Sequence, residues 1–128
     1  MTATCELSRY DDPEVESAGE MIVFNPNGGA VGMLTTTRTV FSGGNQELNT
    51  AFFETVLDED AGTGQMRCLG DICKDTKNSN EVTSTVNMRN FSLLGDPAMM
   101  LAYPEEKIYI TEIPDTIKSL DLVTISGY

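Results

Sequence analysis

The stretch AVGMLTTT, residues 30–37, predicts the strand around which the fold is built. Small and apolar residues open this stretch and β-branched threonines close it, which is typical of a buried strand. Turn-forming residues mark both of its sides, since NPNGG precedes it and SGGN follows it after a short interval. A second stretch, NFSLLGD at residues 90–96, predicts a further strand. The sequence therefore supplies strands from which a sheet can form.

Helices are predicted on both sides of the first strand. Ser17 is followed three residues later by Glu20, a capping box that starts a helix running through AGEMIVF. Apolar residues recur at helical spacing over residues 45–58 and again over residues 65–77, whereas residues 78–89 show no clear period. Strands that alternate with helices predict an α/β fold with a mostly parallel sheet flanked by helices.

The C-terminal segment breaks this alternation. KIYITEI and LDLVTISGY are β-rich stretches separated by PDTIKS. Tyr103 and Pro104 therefore mark a predicted boundary between an α/β part, residues 1–104, and a β-rich tail, residues 105–128.

The composition excludes some classes of function. The formal net charge is −12, so the chain offers no basic patch that could displace counterions from phosphates, and nucleic acid is not an expected partner. No apolar run approaches the roughly 18 residues of a membrane span, so no transmembrane segment is predicted. The hydrophobic content of 40% is enough for the core of one domain.

The three cysteines do not suggest a disulfide framework, since their number is odd. Cys68 and Cys73 fall on one predicted helix but point in different directions, so we expect two free thiols that fill the core. Thr2 to Cys5 resembles the end of a strand. Because chemistry gathers at the carboxyl ends of strands in open α/β sheets, Cys5 occupies a position where a functional thiol can lie. The residues alone favour a buried structural thiol at this position.

Six further residues are candidates for contact with a substrate. Three belong to the acidic stretch after Cys5, and three end the first predicted strand at the expected edge of the sheet. They are Glu6, Asp11, Asp12, Thr36, Thr37 and Arg38. The alternatives are a solvated acidic loop and a plain strand-end loop. Asp96 is expected to cap a helix or a turn that begins at Pro97.

No metal site is predicted. Zinc lacks ligands, because the chain has no histidine and no CxxC pair. The stretch DDPEVE could supply oxygen ligands for calcium, but it lacks the glycine and the spacing of an EF-hand loop. Calcium is therefore a weak possibility, and no cofactor is expected.

Four stretches occur in an order that resembles the gingipain-type cysteine peptidase family, and they are most similar to its type IX secretion sortase branch. They are TATCELSRYDDPEVESAGE, NPNGGAVGMLTTTRTVFSGGNQELNTAFFETVL, LGDICKDTK and NFSLLGDPAMMLAYP. The resemblance implies a partial caspase-like fold. Residues 1–104 would be the C-terminal part of the peptidase domain, and residues 105–128 would lead toward an immunoglobulin-like domain.

The resemblance also implies a catalytic role for Cys5, because the family uses a Cys/His dyad. The matching histidine would lie upstream of Met1, since the chain contains none. We therefore predict that the parent protein cleaves or transpeptidates secreted proteins from a secreted or outer-membrane-associated location. The chain alone is predicted to be inactive, with a polypeptide substrate and the missing N-terminal half of the domain as partners.

A non-catalytic function is the alternative. The chain could be an α/β interaction module that pairs with a missing half or with itself. An exposed sheet edge and exposed apolar surface favour association, so a homo-oligomer is expected of the isolated chain.

Overall fold

The computed structural model describes residues 1–104, 106, 108–120 and 122–128. It is a mixed α/β structure whose elements, in chain order, are α1 (Ala18–Val23), β1 (Gly32–Thr36), α2 (Ser42–Val56), α3 (Leu69–Asn78), α4 (Thr85–Asn90), β2 (Phe91–Gly95), β3 (Ile110–Glu112) and β4 (Ser126–Gly127). Within these residues the strands form two separate pairs, β1 with β2 and β3 with β4.

The strands β1 and β2 run antiparallel, with Thr36 opposite Phe91. The mostly parallel sheet predicted from the alternation of elements is therefore wrong for the described residues. The reason lies in how the chain returns to the sheet. The helix α4 ends at Asn90, directly before β2, and the N–H of Thr37 donates to the Asn90 carbonyl at 2.8 Å. The strand β2 thus enters the sheet where β1 leaves it, which makes the pair antiparallel.

The capping box predicted for α1 is confirmed. The Ser17 hydroxyl accepts a hydrogen bond from the Glu20 N–H at 3.3 Å, and the Glu20 carboxylate accepts one from the Ser17 N–H at 2.9 Å. Each residue thus satisfies a backbone N–H that the first turn of a helix leaves unpaired. Hydrogen bonds to the Glu20 carboxylate from the Ser17 hydroxyl, at 2.7 Å, and from the Ser17 N–H hold the pKa of Glu20 below its ordinary value.

The helix α2 begins earlier than predicted. Its first turn contains SGGN, which the sequence presented as a break. The start is fixed from outside the helix, since the Asn87 side chain bonds both the carbonyl and the N–H of Phe41, at 2.9 and 3.1 Å. A tertiary contact therefore overrides the local preference of two glycines.

The helix α3 begins later than predicted, at Leu69. The N–H groups of Leu69 and Gly70 donate to the carbonyls of Met99 and Pro97, at 2.9 and 2.8 Å. That backbone segment belongs to a turn in which the Asp96 carboxylate accepts from the Ala98 N–H at 2.9 Å. The predicted structural role of Asp96 is thereby confirmed.

The short helix α4 lies in the segment that showed no period. The Ser84 hydroxyl caps it by accepting from the Asn87 N–H at 3.3 Å. Six residues are too few to display a helical repeat.

The core lies between one face of the β1–β2 pair and the helices α2 and α3. Leu48 and Phe91 are fully buried, and Ile72 is 1% exposed. Two groups of buried residues form it: Leu34, Val40, Leu48, Ala51, Val82 and Phe91 in the first, and Val56, Leu69 and Ile72 in the second.

The C-terminal tail contains one short pair of strands among its described residues. The strands β3 and β4 pair antiparallel, and the rings of Tyr109 and Tyr128 stack with centroids 5.4 Å apart. Most of its large apolar side chains are exposed: Ile108, Tyr109, Ile110, Ile113, Ile117, Leu120, Leu122, Ile125 and Tyr128. Along the described chain, no helix is both long and apolar enough to cross a membrane.

Candidate active site around Cys5

Cys5 lies in an exposed turn beside β1. The Thr2 N–H donates to the Leu34 carbonyl at 3.0 Å, and the Ser8 N–H donates to the Thr36 carbonyl at 2.9 Å. The segment between them does not continue as a strand, so the predicted strand ending at Cys5 is wrong. Glu6 shows why, because its φ of 56° turns the chain through the left-handed region that side chains rarely adopt.

Polar contacts hold the residues before Cys5 in place. The Thr36 hydroxyl donates to the Thr4 carbonyl, and the Asn45 side-chain amide donates to the Ala3 carbonyl at 3.1 Å. The Cys5 thiol itself donates to the Val40 carbonyl at 3.6 Å. Cys5 is therefore fixed near the carboxyl end of β1 and the start of α2.

An open pocket of about 390 Å³ adjoins Cys5. Charged and apolar side chains share its walls, which are formed by Cys5, Glu6, Leu7, Arg9, Asp12, Val15, Glu16, Ser17 and Ala18. Two of the predicted substrate contacts, Glu6 and Asp12, thus share a pocket with the candidate nucleophile. Asp12 also forms an ion pair of 3.6 Å with Arg9.

Asp11 and Arg38 form a bidentate ion pair in which both guanidinium ends donate to the carboxylate. The hydrogen bond from Arg38 holds the pKa of Asp11 below its ordinary value, and the same bond raises the pKa of Arg38. Arg38 also donates to the Thr37 carbonyl at 2.7 Å. The pair ties the acidic loop to the end of β1.

The two threonines of the predicted set do not line the pocket. Thr36 is fully buried, and its hydroxyl is used by the Thr4 carbonyl. Thr37 directs its hydroxyl to the Asn90 carbonyl at 3.2 Å. Their contacts are with the chain itself, so their predicted contact with a substrate stays a prediction.

The other two cysteines differ from Cys5 and from each other. Both are free, as predicted. Cys73 packs against the first core group, and burial raises the pKa of its thiol. Cys68 does not fill the core, because it precedes α3 and its thiol donates to the Asp71 carboxylate at 3.3 Å.

Two asparagines of the site were not predicted. Asn45 contacts Ala3, and Asn87 contacts Asn45 from the far side at 3.0 Å. One feature of the sequence could have pointed to Asn87. Ser84, three residues earlier, is a residue type that caps helices, and its hydroxyl accepts a hydrogen bond from the Asn87 N–H. Asn45 has no such signal, because its partners are distant in sequence.

No cluster of three or more histidine, cysteine, aspartate or glutamate side chains suited to a metal ion occurs among the residues that the structure describes. Two carboxylates of the acidic loop, Asp11 and Asp12, are paired with arginines.

An exposed cysteine beside an open pocket in a mixed α/β chain is an arrangement that a cysteine-nucleophile enzyme can use. Residues 1–102 match the model of peptidase family C25, the gingipain family. The chain therefore belongs to this family of cysteine peptidases. No similar curated protein and no similar solved structure was found.

Proposed function

We propose that this chain carries the nucleophile of a C25-type cysteine peptidase and that Cys5 is that nucleophile. The observation that supports it most directly is the difference among the three thiols. Cys5 is exposed at a pocket of about 390 Å³, whereas Cys73 and Cys68 are half-buried, although Cys68 lines a second pocket of about 360 Å³. A nucleophile must reach the substrate, and Cys5 is the most exposed of the three thiols.

The proposed reaction is acyl transfer through a thioester. The Cys5 thiolate attacks the carbonyl carbon of a peptide bond, and the tetrahedral intermediate expels the amine. A histidine protonates the leaving amine, and this histidine must come from outside the 128 residues, which contain none. Water or another amine then attacks the thioester and regenerates the thiol.

The acidic loop supplies part of the proposed substrate groove. Glu6 and Asp12 line the pocket together with Cys5. Arg38 donates to the carboxylate of Asp11, the residue next to Asp12. In this proposal Thr36 holds the Thr4 carbonyl directly before Cys5, and contact of Thr36 and Thr37 with a substrate stays a prediction.

The test is turnover of a peptide substrate by the natural gene product. Cys5→Ala is expected to lower kcat/KM by at least about 1,000-fold, because a missing nucleophile removes the covalent step. Cys68→Ala is the matched control and should retain activity. Retention of turnover by Cys5→Ala would contradict the proposal. Absence of turnover in the unaltered gene product would favour the interaction-module alternative.

The finer assignment within the proposal is the sortase branch, which rests on the resemblance of the four stretches. In this form of the reaction an amine replaces water as the acyl acceptor, and the substrates that are cleaved are C-terminal sorting domains of secreted proteins. The location is then outside the cytoplasm, secreted or associated with an outer membrane. Mass spectrometry of the product with an added amine distinguishes transfer from hydrolysis, and free acid alone would contradict the sortase assignment.

Self-association is a separate part of the proposal and rests on the exposed tail. Leu120 and Leu122 are fully exposed in the chain, and side chains of this kind favour burial against a partner. Sedimentation velocity at micromolar concentration should show oligomers that Leu122→Asp weakens. A monodisperse monomer would contradict it.

A further inference from the structure

Asn87 is a fully buried amide whose hydrogen-bonding capacity is entirely used. Its nitrogen donates to the Phe41 carbonyl at 2.9 Å and to the Asn45 side-chain oxygen at 3.0 Å. Its oxygen accepts from the Phe41 N–H at 3.1 Å and from the Ser84 hydroxyl at 3.0 Å. Two donors and two acceptor positions are all that an asparagine side chain offers.

Asn45 continues this network toward Cys5. Its oxygen accepts from Asn87, so its nitrogen is left to donate, and it donates to the Ala3 carbonyl at 3.1 Å. Ala3 lies two residues before Cys5. The contact with Asn87 thus sets which end of the Asn45 amide faces the Cys5 segment.

The packing around Asn87 leaves little room for a different arrangement. A Cβ added at Gly44 would lie 2.6 Å from the Asn87 side-chain carbon and nitrogen and 2.7 Å from the Ser84 Cβ. The absence of a side chain at Gly44 is what allows the Asn87 amide to reach the backbone before α2. A second contact supports the same approach, because the Glu47 carboxylate accepts from the Thr83 N–H at 2.8 Å.

We propose that Asn87 and Asn45 form a positioning relay that holds the chain before Cys5 against the start of α2. Asn87 acts through Asn45, and Asn45 acts through the Ala3 carbonyl. Neither touches the pocket beside Cys5, so both are positioning residues. Their relevance to catalysis rests on the proposed function of Cys5, whereas the relay itself does not.

The relay can be observed at one carbonyl group. Ala3–Thr4 is the only alanine–threonine pair in the sequence. Protein labelled with carbonyl-¹³C alanine and ¹⁵N threonine therefore gives one carbonyl-to-amide NMR signal, which reports the Ala3 carbonyl. Loss of its hydrogen bond is expected to move the carbon resonance upfield in Asn45→Ala. The resonance should move in the same direction in Asn87→Asp, although Asn87 does not touch Ala3.

Two variants separate positioning from general stability. Asn49→Ala lies one helical turn beyond Asn45 and should leave the resonance in place. Asn45→Gln retains an amide and should return the resonance toward its original position. An unmoved resonance in Asn45→Ala would overturn the first link. An unmoved resonance in Asn87→Asp would overturn the second link, and if that variant does not fold, Asn87→Ser takes its place with the same two outcomes.

The catalytic consequence is measured separately in the natural gene product. If Cys5→Ala abolishes turnover, Asn45→Ala is expected to lower kcat by about 10- to 100-fold with a smaller change in KM, because a misplaced nucleophile loses near-attack geometry. An unchanged kcat would overturn the catalytic role of the relay. If Cys5→Ala leaves turnover intact, the proposed function fails, while the NMR result still decides the relay.

Discussion

The β1–β2 core and the Cys5 segment lie side by side but are held by different forces. The core residues Leu48 and Phe91 are fully buried and pack against apolar neighbours. Cys5 is exposed, and its segment is held by hydrogen bonds to single backbone carbonyls at Ala3 and Thr4. Burial of apolar surface dominates stability, and single hydrogen bonds add little. Changes in the core should therefore unfold the chain, whereas changes in the Cys5 segment should mainly increase the mobility of that segment.

The largest expected effect is that of Phe91→Ala. Phe91 is fully buried, and truncation of a buried phenylalanine costs about 3–5 kcal/mol of the free energy of unfolding. Urea denaturation followed by circular dichroism measures the loss. Phe24→Ala is the control, since Phe24 is 73% exposed and should change stability by less than about 0.5 kcal/mol. Equal losses in both variants would mean that the core is not where the structure has it.

Two adjacent glycines of α2 test the link between the core and the Cys5 segment. A Cβ at Gly44 would approach Asn87 to 2.6 Å, whereas nothing lies within 4 Å of a Cβ at Gly43. Gly44→Ala is therefore expected to lower the free energy of unfolding by about 1–3 kcal/mol through overpacking. Gly43→Ala should raise it, by up to about 1 kcal/mol, because alanine is the better helix former.

Thermal and urea unfolding of both variants gives the comparison. Opposite signs at neighbouring positions cannot arise from helix propensity alone. A stabilising Gly44→Ala would contradict the close approach of α4 to the start of α2, and with it the structural basis of the relay.

Much of the local structure could be predicted because it depends on neighbours in sequence. The capping box of Ser17 and the strand at residues 90–96 are of this kind. The direction of β2 could not be predicted, because it is set by where α4 ends in space. The early start of α2 depends on Asn87, a partner far along the chain.

Some features of the candidate site could likewise be predicted from the sequence, and others could not. Cys5 stood out because a lone cysteine close to an acidic stretch matched a family pattern, and the structure places Glu6 and Asp12 in the same pocket. The local conformation of Cys5 was not predictable, since the turn depends on Glu6 adopting a positive φ. The role of Asn45 was also not predictable, because its partners Ala3 and Asn87 are distant in sequence.

Two buried threonine hydroxyls, those of Thr76 and Thr36, should have smaller effects on the free energy of unfolding than the core and glycine variants. Thr76 is fully buried, and its hydroxyl has no hydrogen-bond partner in the described structure. Thr76→Val should therefore raise the free energy of unfolding by about 1 kcal/mol, because an unpaired polar group is replaced by a methyl group of similar size. Thr36→Val should do the opposite, since it leaves the Thr4 carbonyl without its donor.

Urea midpoints of the two variants measure this difference. Hydrogen exchange adds a local reading, because Thr36→Val should reduce protection at the Thr2 and Ser8 amides and Thr76→Val should not. A loss of stability in Thr76→Val would show that its hydroxyl has a partner that stabilises the fold.

The smallest expected effect concerns the exposed pair of Asp11 and Arg38. The Arg38 hydrogen bond lowers the pKa of Asp11 below 3.8, its ordinary value. The contribution of the pair is thus fully present above that value and is lost as the pH falls through the lower folded value. Because both side chains are exposed, global stability should hardly change with Asp11→Asn, in contrast to the core variants.

The carboxyl ¹³C resonance of Asp11 measures the titration directly. In the unaltered chain its midpoint should lie below 3.8, and in Arg38→Gln it should rise toward 3.8, because the donor and its charge are gone. High salt should also raise the Asp11 midpoint of the unaltered chain toward 3.8, because salt screens an exposed ion pair. A midpoint that is the same with and without Arg38 would show that Asp11 and Arg38 do not pair. The acidic loop beside the Cys5 pocket would then lack this contact with the end of β1.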